Sequence, residues 1–305
     1  MKIKLAYEGW YRLLVSKPGK SPHKDTGWFK NLITDQGLNY IGNPQFSDGF
    51  GTRYINVAVA VGTGTTAPTN ADTTLETQGA YYYGGNTVST SISYVAGPPT
   101  YWKTVYTYNF GVGDGAGTWS EVGVGYYSGS GDVNVFSRQL IVDGGGSPTT
   151  ITILSDEILT VVYELRCYFV TSDTAYSFMI NGTDSYSGVY RPMRVSTASS
   201  LDHGVYVSSF GATLTVYSGS IGATTSSPSG TTKAYQNNWK TYTLGNYYRE
   251  IDLVAQYNEA NFTITALSIA TGIGNWQFSV SPGIPKDSDH KLTLTFRVSW
   301  DRYTP

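Results

Sequence analysis

The chain carries one ordered set of β-patterned blocks twice, and no other feature constrains its fold as much. TWSEVGVGYY from Thr118 is matched by TITALSIATG from Thr263. Phe136-Ser137 is matched by Phe278-Ser279, and LTVVYELRCYF from Leu159 by LTLTFRVSWDR from Leu292. The residues missing from the second copy fall where the first has glycine loops, at Ser128 to Asp132 and Asp143 to Ser147. Loops absorb length changes at small thermodynamic cost, and strands do not. The pattern predicts one β-module used twice.

A chain of 305 residues has room for two domains of ordinary size. Its charged share is 14%, against about 25% in typical soluble domains. With 26 tyrosines and 35 glycines, its polar surface must come from Ser, Thr, Asn and Tyr, which suit half-buried strands and turns. So weakly charged a surface suits burial against other subunits. The net charge of −2 carries no global nucleic-acid signature. The first thirty residues are nevertheless basic, with Lys2, Lys4, Arg12, Lys17, Lys20, Lys24 and Lys30 against Glu8 and Asp25. Such a terminus reads as an arm docking on an acidic neighbour, with Lys2, Lys4 and Arg12 as candidate contacts, and nucleic acid is not the expected partner.

Cys167 is the one cysteine, so no intrachain disulfide forms, and its hydrophobic strand predicts inert packing. No apolar run is long enough for a transmembrane helix, and the N-terminus lacks the apolar core of a signal peptide. Synthesis and folding in a cytoplasm, with no membrane partner, are the expectation.

Ile3, Leu5 and Tyr7 alternate with Lys2, Lys4 and Ala6, the period of a strand. KPGKSPH (Lys17 to His23) reads as a linker. One short helix is predicted, N-capped by Thr34, with Asp35 and Gln36 in its first turn, Leu38 and Ile41 facing the core, and Gly42-Asn43-Pro44 ending it. From there the chain reads as short strands and turns, including Tyr54 to Val61, Gly204 to Phe210 and the closing Lys291 to Trp300. The fold class is all-β: two related β-sandwich-like domains from an internal duplication, an extended N-terminal arm and one short helix. The divisions are 1–27 for arm and linker, 28–172 for the first sandwich and 173–305 for the second.

Catalytic signals are weak. His23, His203 and His290 have no Ser/Asp partner in a recognisable context, and there is no Gly-x-Ser-x-Gly elbow. Glu121, Glu157 and Glu164 are acid/base candidates by residue type alone. Asp287-Ser-Asp289-His290 is oxygen-rich, but it lacks the glycine and distal glutamate of a calcium loop, so a polar turn is the better reading. Gly111, Gly113, Gly115 and Gly117 lack the Lys-Ser/Thr and helix of a phosphate loop. No catalytic residue, metal or cofactor is expected. The aromatics remain, able to stack on sugar rings or anchor subunit contacts. Tyr81, Tyr82 and Tyr83 are consecutive, so at least one must leave the core face of a strand. They join Trp239, Tyr247 and Tyr248 as candidate interface or glycan-contact residues.

The run FKNLITDQGLNYIG (Phe29 to Gly42), followed by VAVGTGTTAPTNADTTLETQ (Val59 to Gln78), resembles the opening of tailed-bacteriophage virion proteins of the tail and tail-fibre type. SEVGVGYY from Ser120, NVFSRQLI from Asn134 and the closing IPKDSDHKLTLTFRVSWDR (Ile284 to Arg302) are similar to that group too. The resemblance implies a non-enzymatic virion component, made in the host cytoplasm and assembled as a homo-oligomer with other virion proteins. A receptor- or glycan-binding tail appendage is the alternative, with host-surface glycan as its partner. A polysaccharide-degrading tail enzyme is a third reading, which the lack of a long parallel β-helix repeat disfavours.

Overall fold

The computed structural model describes residues 1–42, 58–84, 89–127, 131–195 and 212–305. Strands make up 54% and helix 3%, so the chain is all-β, as its periodicity predicts, with one short helix among the described residues. Gly204 to Phe210, His203 and the Asn43-Pro44 helix stop lie outside the described residues. The chain forms two compact units, each built from separated stretches. One comprises Met1–Leu5, Tyr94–Trp102 and Tyr168–Trp300; the other comprises Ala6–Ser93, Lys103–Cys167 and Asp301–Pro305.

Among the described residues, the unit built on residues 6–93, 103–167 and 301–305 has two larger sheets and a two-stranded one, Gly117–Trp119 with Ile151–Ile153. One of the larger sheets runs Leu32–Ile33, Asn134–Leu140, Glu121–Tyr126, Ala58–Gly62, Gln78–Tyr83, all antiparallel. The other takes residues of Lys2–Ser16, Ile158–Tyr168, Tyr101–Asn109 and Ser89–Val95, in that order. Tyr11 ties the layers together. Its hydroxyl donates to Ser137 O at 3.0 Å and accepts from Val124 N at 3.0 Å. Burial pushes this phenol well above its usual range. Alternation forms the long strand: Tyr7, Tyr11, Leu13 and Val15 are buried while Arg12 and Leu14 are half-exposed.

The segment set out above as an arm therefore takes part in sheet pairing from its second residue. Arg12 meets Asp25 through two bonds, of 2.9 and 2.5 Å. Lys2 and Lys4 are exposed.

The helix is Asp35–Gly42, and Thr34 caps it by accepting Gly37 N at 2.9 Å. Leu38 and Ile41 are fully buried. A Cβ at Gly37 would lie 2.1 Å from Phe136 O, so the close seat of the helix on strand Asn134–Leu140 requires glycine. Arg302, one of the last residues of the chain, donates to Ile33 O at 2.6 Å and pairs with Asp35 at 2.6 Å beside the helix start.

The unit built on residues 1–5, 94–102 and 168–300 has a six-stranded antiparallel sheet. Its order is Thr174–Ile180, Asp184–Pro192, Asn275–Pro285, Thr263–Ala270, Ala212–Tyr217, Thr232–Asn237. Its second layer holds Tyr248–Ala255 paired antiparallel with Leu292–Arg302. The first residues of the chain add a parallel ladder there, with Met1 N donating to Thr295 O and Arg297 N donating to Met1 O. Phe278 of one layer meets Phe296 of the other edge-on, with ring centres 5.3 Å apart. Trp102 stacks on Phe169 at 3.8 Å and meets Trp276 edge-on at 6.2 Å.

Two of the three pairs of similar sequence blocks lie in neighbouring strands of a sheet in each unit, and the third pair, from Leu159 and Leu292, lies in neither of these two sheets. Asn134–Leu140, Glu121–Tyr126, Ala58–Gly62 and Gln78–Tyr83 lie side by side in one. Asn275–Pro285, Thr263–Ala270, Ala212–Tyr217 and Thr232–Asn237 lie side by side in the other. The register does not follow. Ser137 faces Val124, whereas Ser279 faces Ala266, the residue that the sequence blocks align with Glu121. An odd shift of this kind exchanges the two faces of a strand. The shared element order thus exceeds the shared residue environment.

Candidate interaction surfaces

The run GTGTTAPTNADTTLETQ is a loop closed by a buried ionic clamp. Arg138, in strand Asn134–Leu140, is 3% exposed, and Glu121, in the neighbouring strand, is fully buried. Arg138 Nε donates to Glu121 Oε2 at 2.8 Å, Nη1 to Asp72 Oδ2 at 2.5 Å and Nη2 to Thr66 O at 3.1 Å. Glu121 Oε1 accepts Gly64 N and Thr77 N at 2.9 Å each, and Oε2 accepts Glu76 N at 3.2 Å. Glu76 in turn accepts Thr65 N, Thr66 N and the Thr66 hydroxyl. These bonds hold the Glu76 carboxyl below its usual range. Burial opposes ionisation of Asp72, but the Thr69 hydroxyl and N–H, with Arg138, outweigh it and hold that carboxyl low as well.

The glycines of this run have steric reasons. A Cβ at Gly64 would lie 2.3 Å from Glu121 Oε1, and one at Gly62 would lie 2.3 Å from Thr77 O. Leu75 completes the closure by packing with Ala58, Ala60, Val133 and Val135. The residues of this run are therefore engaged in holding a loop.

Beyond this loop lies strand Gln78–Tyr83, the edge of its sheet among the described residues. Tyr81 and Tyr83 are 46% and 37% exposed, and both pack on Tyr127, at 5.3 and 5.7 Å. Tyr82 points the other way and meets Phe110 at 5.8 Å. The alternation expected of three consecutive tyrosines is met.

The remaining aromatic candidates belong to the other unit. Trp239 is 6% exposed and packs under Arg249, whose guanidinium carbon lies 5.7 Å from the ring centre. Burial lowers the Arg249 pKa to about 10. Tyr248 is half-buried, with Arg297 at 3.9 Å over its ring. Tyr247 is half-buried and adopts a φ of 50°.

The acidic candidates sit apart, each matched by cations. Glu121 belongs to the clamp. Glu164 takes part in an alternating ladder across the sheet: Lys103–Glu164 at 3.4 Å, Glu164–Arg166 at 2.7 Å, Arg166–Glu8 at 3.8 Å and Glu8–Lys30 at 2.7 Å. Arg166 also lies 4.9 Å over the Trp10 ring. Glu157 accepts Leu154 N at 2.8 Å and lies 2.9 Å from His23 Nε2 and 3.9 Å from Lys24 Nζ.

The Leu154 N–H, with Lys24 and His23 behind it, holds the Glu157 carboxyl below the usual carboxylate range, against the opposing effect of burial. A carboxyl lowered in the folded state contributes stability above its unfolded pKa of about 4.3, and the contribution is lost as pH falls through the folded value. Glu157→Gln is therefore expected to lower the urea midpoint near neutrality and to converge with the parent chain in acid. Parallel midpoint-against-pH curves would contradict this.

Asp287 Oδ1 accepts Asp289 N and His290 N at 3.0 Å each and lies 2.7 Å from His290 Nδ1, the polar turn expected before the last strand. Among the described residues, no group of three or more His, Cys, Asp or Glu is placed to hold a metal ion. None of the described helices is long and apolar enough to cross a membrane. Cys167 is buried, and burial raises its thiol pKa to about 12.

Arg138 and Asp72 were missed in the sequence as members of a site. The available signal was a lone arginine in NVFSRQLI and a lone glutamate in SEVGVGYY, both inside apolar strands where an unpaired charge is prohibitive. Comparison with protein-family models, with curated proteins and with solved structures returned no match.

Proposed function

We propose that the chain is a structural component of a tailed-phage virion, a tail or tail-attached protein that assembles as a homo-oligomer with other virion proteins through β-rich surfaces. The observation that carries this reading is the clamp. The segment most similar to phage tail proteins has its glycine, threonine and acidic residues engaged in closing a loop against Arg138 and Glu121. A motif that rigidifies a surface loop suits an assembly part. The common strand order of the two sheets supports the duplication within this reading.

The test is made on particles. Virions purified from the host that carries the gene are expected to contain the chain in a fixed ratio to the other tail proteins by peptide mass spectrometry. Its recovery only outside the particles would overturn the reading. In the alternative, the chain is a receptor- or glycan-binding appendage with Tyr81 and Tyr83 as its exposed rings. The signature of that role is binding of host surface polysaccharide that Tyr81→Ala abolishes.

A further inference from the structure

Strand Thr174–Ile180 is the outer edge of the six-stranded sheet and, among the described residues, pairs with Asp184–Pro192 alone. Its sequence, TAYSFMI, contains no charge, no proline and no glycine. Natural edge strands are usually blunted by lysine, proline, a bulge or short length, because an open edge templates pairing with another chain. The opposite edge of the same sheet, Thr232–Asn237, does carry such a lysine, Lys233. The Thr174–Ile180 edge is seven residues long, with an uninterrupted register from Thr174↔Tyr190 to Ile180↔Asp184.

Its two faces differ. Ala175, Ser177 and Met179 are exposed, Met179 by 65%. Tyr176 and Phe178 continue the aromatic layer of the unit, since Tyr176 meets Phe278 at 5.5 Å and Phe178 meets Tyr186 at 5.3 Å. That layer stops at the edge with both rings half-buried. A cavity of about 690 Å³ opens beside the end of the strand, with Met179 and Ile180 in its wall together with Asp184, Lys286, Asp287 and Lys291.

We infer that this edge pairs with the same edge of a second copy of the chain, antiparallel about a two-fold axis at Ser177. The strand is suited to face itself. With no charge along it, homotypic pairing meets no like-charge repulsion. The two-fold register sets Met179 opposite the small Ala175 on the exposed face. On the other face it sets Tyr176 opposite Phe178, extending the aromatic layer from one copy into the next. The pairing supplies main-chain hydrogen bonds to an open edge, which is the general mode of strand addition. This inference rests on the homo-oligomer reading and names the surface through which it operates.

Ser177→Cys tests the register directly, because the two-fold places each new thiol across from its mate within disulfide reach. Cys167 is buried and does not compete. Mild oxidation is expected to convert most of the chain to a reducible covalent dimer, while Thr232→Cys on the opposite edge stays uncrosslinked. Ser177→Lys, an exposed change checked for folding by circular dichroism, is expected to weaken self-association tenfold or more by sedimentation. If the parent chain self-associates but neither variant has its effect, the edge assignment is wrong and the oligomer reading survives. If the parent chain is a monomer at every concentration reached, both fail.

Discussion

Arg138→Met is expected to destabilise the chain by about 3 kcal/mol, the lower end of the cost of breaking a buried ion pair by removing one partner. Arg138 joins Glu121, Asp72 and Thr66, and only Glu121 among the acidic partners is completely buried. Removing the guanidinium leaves that carboxylate without a cation. Three backbone N–H groups, of Gly64, Glu76 and Thr77, still solvate it, which keeps the cost near the lower end.

The loss should appear as a lower urea midpoint with an unchanged slope. The double substitution Glu121→Leu with Arg138→Met should cost less than the two single changes together, because it removes both charges. It would still leave the three N–H groups unpaired, so full recovery is not expected. A loss below about 1 kcal/mol for Arg138→Met would show that the clamp is electrostatically slack.

Trp102→Ala is expected to cost about 3–5 kcal/mol, the range for removing a large buried aromatic. Trp102 is 2% exposed, stacks on Phe169 at 3.8 Å, touches the edge of Trp276 and donates its indole N–H to Val195 O at 3.4 Å. Gly274 is held against it, since a Cβ there would lie 2.5 Å from the Trp102 ring. So tight a seat leaves little room for collapse, and the substitution leaves a cavity. Trp102→Phe keeps the stack and should recover more than half of the loss. Equal urea midpoints for Trp102→Ala and the parent chain would mean that the cluster contributes little.

The sequence carried the local facts. A β-period through Ile3, Leu5 and Tyr7 is a strand in the structure, Thr34 before Asp35 and Gln36 caps the helix, and one face of Tyr81-Tyr82-Tyr83 is exposed. The Asp287 turn was likewise readable, because an aspartate accepting the N–H groups two and three residues on is a contact between near neighbours.

Trp239 was not readable. Its indole is a plausible surface anchor in sequence, but Arg249, ten residues later, covers it. The clamp was legible only as a puzzle, two charges stranded in apolar strands, because Asp72 and Arg138 meet across sixty-six positions of chain.

What the sequence determined by itself is the all-β class, the place and cap of the helix, and which residues of each strand share a face. Periodicity, capping and turn chemistry act within a few residues, so they survive in a one-dimensional reading. Only the tertiary structure decided which stretches share a unit, which charges pair, how the two similar sheets are registered and which strand is left at an edge. Those outcomes depend on contacts between residues far apart in the chain, and no local pattern along Thr174–Ile180 says whether a seventh strand will cover it.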